Sequence, residues 1–139
     1  MNKYDLQLLS PIEFENLAND LTELVYGCKV ERFKPGKDQG IDGRYFSQTT
    51  NKNNIIQSKH YYNTGFSSLI SHLKSSELAK IKKLSPEVYI LWTSVPLNPA
   101  QKDIICKELH PFIKTDNIYG YDEIVSLISK YKMIERKYY

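Results

Sequence analysis

Three residues in the first half of the chain have side chains that could do chemistry together: Asp42, Gln57 and Lys59. Gln57 and Lys59 lie in the run Ile-Ile-Gln-Ser-Lys-His-Tyr, which is typical of a strand, and Asp42 lies near the start of an earlier predicted strand. Side chains alternate along a strand, so Gln57 and Lys59 share a face. A hairpin between the two strands would bring a carboxylate, an amide oxygen and an ammonium to one point of a sheet.

This group of side chains suits the hydrolysis of a phosphodiester. Asp42 and Gln57 offer the oxygen ligands that Mg²⁺ prefers, and an incomplete protein shell suits an ion that keeps several waters. Such an ion stabilises charge on the scissile phosphate and lowers the pKa of a bound water. Lys59 could orient that water or neutralise the charge that develops on the phosphate. The sequence therefore predicts a Mg²⁺ site, in which Mn²⁺ can substitute.

A further carboxylate lies on the first predicted helix, which spans residues 11–26. Residues 10–13, Ser-Pro-Ile-Glu, form a capping box with proline at the first helical position, and this occupies the carboxylate of residue 13. Glu15 borders the apolar face that Phe14 and Leu17 begin. We expect Glu15 to reach over the sheet edge towards Asp42, where it would bind the metal directly or through another ligand.

The rest of the chain supplies the elements that must position these residues. Strands are predicted over residues 28–33, 41–47, 55–62, 87–95 and 118–119, with a polar hairpin loop over residues 49–54. Further helices are predicted over residues 66–81, from Pro99, and after Asp122 as N-cap. This order, α-β-β-β-α-β-α-β-α, indicates an α/β fold in which helices flank a central mixed sheet.

The length of the chain, 139 residues, indicates a single domain over residues 1–139. Residues 130–139 are charged and aromatic and lack a stop signal, so we expect either a frayed terminus or the point where a longer protein was cut. In the second case the chain would be the N-terminal effector domain of a larger protein, and its activity would depend on the missing part.

The composition is that of a globular protein with a slight positive excess. Lys and Arg number 19 against 16 Asp and Glu, and the net charge of +3 permits a polyanionic partner without requiring one. No apolar run approaches the roughly 18 residues that span a bilayer, and no signal peptide opens the chain. We therefore expect a cytoplasmic protein without membrane contact, in which Cys28 and Cys106 are small core residues.

Residues 10–61 resemble the PD-(D/E)xK nuclease superfamily, and within it the Mrr-like branch of type IV restriction enzymes. The matching pieces are Ser-Pro-Ile-Glu-Phe-Glu-Asn-Leu, Gly-Lys-Asp-Gln-Gly-Ile-Asp-Gly and Ile-Ile-Gln-Ser-Lys-His-Tyr. The resemblance implies the restriction-endonuclease-like fold and a Mg²⁺-dependent cut of DNA. It also implies active-site positions for four residues, namely Asp42, Gln57, Lys59 and Glu15.

The chain departs from the wider superfamily pattern at two positions. Gln57 replaces the usual glutamate, as is common in the Mrr-like branch, so the site holds one charge fewer and should bind metal more weakly. Ile41 stands where proline is usual. Residues 90–105 and 118–128 also resemble nuclease domains fused to antiphage proteins, including STAND-type NTPases. The chain contains no Gly-x₄-Gly-Lys-Ser/Thr loop, so such an NTPase would lie outside it.

Residues near the site have interpretations that stay open. Lys37 and Arg44 could hold phosphates or be solvated loop charges, and Tyr61 could contact a phosphate, although packing is the favoured interpretation. Asp38 is expected to form a turn rather than to assist the metal.

The histidines are expected to be structural. His60 faces away from Gln57 and Lys59 by alternation along the strand. His72 and His110 lie in helical patterns, and nothing in the sequence supports either as a ligand.

The leading hypothesis is a Mg²⁺-dependent endonuclease for duplex DNA, acting in defence against foreign DNA. A homodimer would supply one site for each strand, and an NTPase or sensor domain would be a further partner. The alternative is a non-catalytic module that binds DNA or protein. Metal binding discriminates between them, because such a module needs neither Asp42 nor Lys59. A nuclease directed at RNA is the third hypothesis, which competition between RNA and DNA substrates would test.

Overall fold

The computed structural model describes residues 4–32, 43–47, 52–61 and 65–139. The strands in this part of the chain are β1 (Glu31–Arg32), β2 (Gly43–Ser47), β3 (Lys52–Lys59), β4 (Val88–Thr93) and β5 (Ile118–Tyr119). They form one five-stranded sheet in the order β1-β2-β3-β4-β5. The first three strands pair antiparallel and the last three pair parallel, so β3 lies at the centre of a mixed sheet.

The helices lie in two layers on this sheet. They are α1 (Pro11–Tyr26), α2 (Gly65–His72), α3 (Leu78–Leu84), α4 (Pro99–Glu108), α5 (Tyr121–Lys130) and α6 (Lys132–Tyr138). A π-helical segment, Leu73–Glu77, joins α2 to α3. No helix within the described ranges combines the length and the apolar character that crossing a membrane requires.

Helix α1 has the bounds that its end signals predict. The Ser10 hydroxyl accepts a hydrogen bond from the Glu13 N–H at 3.1 Å, and the Glu13 carboxylate accepts one from the Ser10 N–H at 2.8 Å. The helix ends at Gly27, whose φ of +63° is the left-handed conformation that glycine adopts without strain. Local sequence therefore determines both ends of the helix that carries Glu15.

The side chains of the central strands alternate between the two helical layers. Ile56, Ile90 and Trp92 belong to a buried cluster with residues of α1, α5 and α6, and we call this side of the sheet the first face. Ile55 and Leu91 belong to a second cluster with residues of α2, the π-helical segment, α3 and α4, and we call this side the second face. The predicted α/β architecture, a mixed sheet flanked by helices, is confirmed.

Several predicted element boundaries are wrong. Strand β3 begins at Lys52, inside the loop predicted over residues 49–54, because the hairpin pairing continues to Ser47 opposite Lys52. Among the described residues 28–32 of the strand predicted over residues 28–33, Glu31–Arg32 alone form a strand, since the chain pairs with β2 at those two positions. Residues 41–42 of the predicted second strand lie outside the described residues.

Two predictions about the last third of the chain are also wrong. Gly120, not Asp122, is the N-cap of α5, and its N–H donates to the Glu123 carboxylate at 2.8 Å. Of the two alternatives for residues 130–139, the frayed terminus is wrong, because residues 132–138 form helix α6. This helix is anchored because Ile134 is buried and because Lys137 and Tyr138 both donate hydrogen bonds to Asp20 on α1.

Candidate functional site

Strand β3 presents Gln57 and Lys59 on the second face of the sheet. Ile56 faces the first side of the sheet and Ile55 faces the second. Because side chains alternate along a strand, Gln57 and Lys59 point to the same side as Ile55, and the predicted common face is confirmed. Gln57 is 4% exposed and pairs in register with Leu91 of β4. An amide and an ammonium therefore project from neighbouring positions at the buried centre of the sheet.

The end of β3 is held firmly where Lys59 projects. The Lys59 carbonyl accepts a hydrogen bond from the Thr93 hydroxyl at 2.8 Å and one from the Ser94 N–H at 3.3 Å. Its Nζ lies 3.3 Å from the Glu77 Oε2 and 3.1 Å from the His72 Nε2. Both the backbone and the charged end of Lys59 thus have defined partners.

Glu77 lies at the centre of a buried polar cluster, which sequence reasoning missed. It ends the π-helical segment and is 2% exposed. Besides Lys59, its Oε2 contacts the Lys80 Nζ at 3.4 Å and the His72 Nε2 at 3.5 Å, and its Oε1 accepts from the Tyr89 hydroxyl at 3.3 Å. We call these five residues the Glu77 cluster. Single-turn π-helical segments occur frequently at functional sites.

Gln57 adjoins the Glu77 cluster. A small cavity on the second face is lined by both Gln57 and Glu77, together with Lys80 and Tyr89. The amide at the centre of β3 and the carboxylate on the helix therefore share one space.

His72 connects the Glu77 cluster to the surface. Burial lowers its pKa, with a further lowering by the Lys59 charge, so the ring favours its neutral form. His72 also lines an open groove together with Tyr61 and four serines, which are Ser67, Ser68, Ser71 and Ser75. Burial raises the pKa of the Tyr61 phenol, which lies edge-on to the His72 ring. The groove thus leads from solvent to the neighbourhood of Lys59.

His60 has a structural environment on the first face, as the alternation predicts. Its ring stacks on Phe14 of α1 with centroids 4.6 Å apart. Its Nε2–H donates to the Leu9 carbonyl at 2.9 Å, and its Nδ1 lies 2.9 Å from the Ser94 hydroxyl. Burial lowers the pKa of His60, so this ring also favours the neutral form.

Of the predicted site residues not yet discussed, the described ranges include Glu15 and Arg44. Asp42, Lys37 and Asp38 lie outside the described residues. Glu15 is half-buried on α1, which packs against the first face, and its approach to Asp42 stays a prediction. Arg44 pairs with Glu31 on the neighbouring strand at 2.6 Å.

The described residues do not by themselves form a metal site. No group of three or more histidine, cysteine, aspartate or glutamate side chains suited to a metal ion occurs within residues 4–32, 43–47, 52–61 and 65–139. The predicted site draws on Asp42, which is not among them. Its ligand assignments, including Glu15, stay predictions.

Comparison with known proteins identifies the family. A family model described as "Restriction endonuclease", that of the Mrr catalytic domain, matches residues 6–90. The "Uncharacterized protein y4cD" of Sinorhizobium fredii (strain NBRC 101917 / NGR234) is 40% identical over 133 residues, which are 95% of this chain and 20% of that protein. The chain therefore spans about a fifth of the length of this relative. No solved structure matches the chain.

Domains of this family generally use divalent metal ions and act on DNA. The family match includes β2, β3 and the helical stretch that carries His72 and Glu77, and so contains Gln57, Lys59 and the Glu77 cluster. With its mixed sheet between two helical layers, the chain belongs to the Mrr-like restriction endonucleases of the PD-(D/E)xK superfamily.

Proposed function

We propose that this chain is a Mg²⁺-dependent endonuclease that hydrolyses phosphodiester bonds of duplex DNA. Mn²⁺ would substitute for Mg²⁺. Asp42, Gln57 and Lys59 would form its active centre, and Glu15 is kept as a further candidate. The family supports nuclease chemistry in general, and the choice of metal, substrate and residues is our proposal.

The observation that carries the proposal is the position of Gln57 and Lys59 on the central strand. They share the second face, next to an open groove lined by hydroxyls. Gly43 of β2 pairs with Ile56 of β3. Asp42 directly precedes Gly43 in the sequence, and Gln57 directly follows Ile56. The Asp42 carboxylate is therefore attached one residue away from the paired strands that carry the Gln57 amide.

The donor set fits a magnesium ion. Asp42 and Gln57 would hold it through oxygen atoms, which are the hard ligands that Mg²⁺ prefers. When bound, the ion would supply charge stabilisation at the phosphate and a more acidic water. Glu77 is unsuited to this task, because its Oε2 is already surrounded by Lys59, Lys80 and His72.

Lys59 would act on the reacting phosphate. Its ammonium donates to the His72 Nε2 and lies 3.3 Å from the Glu77 Oε2. In the proposed reaction it would orient the attacking water or neutralise charge on the phosphate. Serine hydroxyls along the groove are groups that commonly contact phosphate oxygens, and would hold the DNA backbone there.

The biological setting is a further part of the proposal. We propose a role in defence against foreign DNA in the bacterial cytoplasm, with two copies of the chain cutting the two strands. The relative y4cD is about five times as long as the segment that it shares with this chain, since that segment is 20% of it. A larger protein with this nuclease as its effector domain is therefore our preferred setting, and an NTPase or sensor domain would be its partner.

Cleavage of supercoiled plasmid in Mg²⁺ or Mn²⁺ tests the function. We expect nicked and linear products that EDTA and Asp42→Ala both abolish. Asp122→Ala, which removes an exposed carboxylate on α5, is the matched control and should cut like the wild type. Cutting that survives Asp42→Ala would refute the site. Binding of DNA without cutting, at protein concentrations that favour dimers, would support the non-catalytic module instead.

A further inference from the structure

We propose that Glu77 and His72 are positioning residues that together hold the Lys59 ammonium in the orientation needed for cleavage. We call this arrangement the Lys59 clamp. Its effect on cleavage rests on the proposed function. The clamp itself is a structural arrangement, and it can be tested in protein that does not cut.

The distances determine the direction of the hydrogen bonds in the clamp. A lysine ammonium only donates, so the His72 Nε2 that lies 3.1 Å from it must accept. The proton of the neutral His72 ring then belongs on Nδ1. The 3.5 Å separation between His72 Nε2 and Glu77 Oε2 agrees with this assignment, since it is longer than an ordinary N–H···O hydrogen bond. Lys59 therefore donates to His72 and forms an ion pair with Glu77.

The burial of Glu77 shows what it does in the clamp. A carboxylate that is 2% exposed is costly unless cations and donors surround it. Lys59 and Lys80 supply two positive charges near its Oε2. Glu77 is thus the counter-ion that holds the Lys59 ammonium in place beside the apolar second face.

The π-helical segment brings the two clamp residues to the same point. His72 ends α2 and immediately precedes the segment, and Glu77 is its last residue. In sequence they are five residues apart, which matches the i to i+5 repeat of a π-helix. A regular α-helix would not align residues at this spacing. The irregularity of the helix therefore has a specific use in the site.

The two oxygens of Glu77 supply a matched control. Oε2 contacts Lys59, whereas Oε1 accepts from the buried Tyr89 hydroxyl. Tyr89→Phe changes the surroundings of the buried carboxylate without touching Lys59. Glu77→Gln keeps the side-chain shape but removes the charge opposite Lys59.

Nuclear magnetic resonance of ¹⁵N-labelled histidine tests the clamp without any activity. At a pH where the rings are neutral, His72 should carry its proton on Nδ1. His60 donates through Nε2 to the Leu9 carbonyl, so it provides the opposite tautomer as an internal reference. In Lys59→Ala, His72 should shift towards the Nε2–H form. A wild-type His72 that carries its proton on Nε2 would overturn the clamp.

Cleavage kinetics test what the clamp does. Glu77→Gln should lower kcat by roughly 10- to 100-fold, the loss typical of residues that orient an active-site group, with little change in KM. Tyr89→Phe removes one contact of Glu77 but leaves its charge opposite Lys59, so it should lower kcat less than Glu77→Gln does. In a Lys59→Ala background, Glu77→Gln should have no further effect, because the group that it positions is absent. An equal loss in both backgrounds would mean that Glu77 only supports the fold.

A second pair of variants serves if Glu77→Gln does not fold. The His72 side chain is 34% exposed, so substitution there is tolerable. His72→Leu removes the acceptor and should slow cleavage by roughly tenfold. His72→Gln offers an amide oxygen to Lys59 and should recover most of the rate. Equal rates for both variants would contradict the clamp. If the wild type does not cut at all, the proposed function fails, and the tautomer of His72 alone decides whether the clamp exists.

Discussion

Two carboxylates that bind several cationic or hydroxyl partners, Asp20 and Glu77, lie on opposite faces of the molecule. The Asp20 side chain is 12% exposed on α1 and contacts Arg32 at 2.6 Å, Lys137 at 2.8 Å and Tyr138 at 2.6 Å. Glu77 is more deeply buried, and its contacts are 3.3 to 3.5 Å long.

The partners of Asp20 and Glu77 indicate that the two carboxylates have different roles. Arg32 and Lys137 reach Asp20 from β1 and α6, and their side chains remain 34% and 57% exposed. Asp20 therefore joins elements that are far apart in the sequence, a role in stability. Glu77 draws its contacts from Lys59 at the end of β3, from Tyr89 of β4 and from its own helical stretch. Lys59 adjoins the proposed active centre. We therefore expect Asp20 to act on stability and Glu77 to act through Lys59.

The largest expected effect distinguishes Lys59, which contacts Glu77, from Lys137, which contacts Asp20. Lys59→Ala should reduce cleavage by roughly 10²- to 10⁴-fold, the range for removal of a group that assists proton transfer or charge stabilisation. Lys137→Ala removes the lysine of Asp20 and should leave cleavage within about twofold of the wild type. Initial rates of plasmid nicking measure both. Comparable losses in the two variants would contradict the division of roles.

A smaller effect is expected when Asp20 itself is removed. Asp20→Ala should lower the free energy of unfolding by roughly 1 to 3 kcal/mol, because Tyr138 and two cations lose their acceptor. The partial exposure of Arg32 and Lys137 keeps the value in this range rather than above it. Urea denaturation measures the loss. Cleavage below the unfolding transition should be unchanged, and a large loss of activity would assign Asp20 to the site.

The smallest expected effect is the pH dependence of the Asp20 contribution. Burial alone would raise the pKa of this carboxyl, but hydrogen bonds from Lys137, Tyr138 and Arg32 lower it below its ordinary value of 3.8. A lowered folded-state pKa means that the stabilisation is present above about pH 4 and is lost as the pH falls through the folded value. The difference in unfolding free energy between the wild type and Asp20→Asn should therefore shrink only below about pH 4. A difference that changes between pH 5 and 7 would argue against this origin.

Local signals in the sequence predict most of the fold. Helix α1 has its predicted bounds because the capping box and Gly27 act through neighbouring residues. Helix α6 was missed because its stability comes from Asp20, which is more than a hundred residues away. No pattern within the last ten residues reveals such a contact, since the helix is held by tertiary packing rather than by end signals.

Local patterns likewise predict the strand residues of the candidate site but not the residue that reaches them from a helix. Period-two alternation correctly separates Gln57 and Lys59 from His60. Glu77 was missed, although it lies four residues from both Leu73 and Ile81, in phase with the apolar positions of its helix. A charged residue in such a position signals a buried pair. Its partner could not be identified from spacing, because the approach of Lys59 depends on how the helix packs across the sheet.

Calorimetric titration of Mn²⁺ into the wild-type chain and into Asp42→Ala tests the central claim most directly. The proposal is that Asp42 and Gln57 hold one catalytic ion, so the wild type should bind Mn²⁺ and Asp42→Ala should lose that binding. Gln57→Glu restores a second carboxylate and should bind the ion more tightly. Mn²⁺ binding that is the same in Asp42→Ala as in the wild type would contradict the proposed active centre.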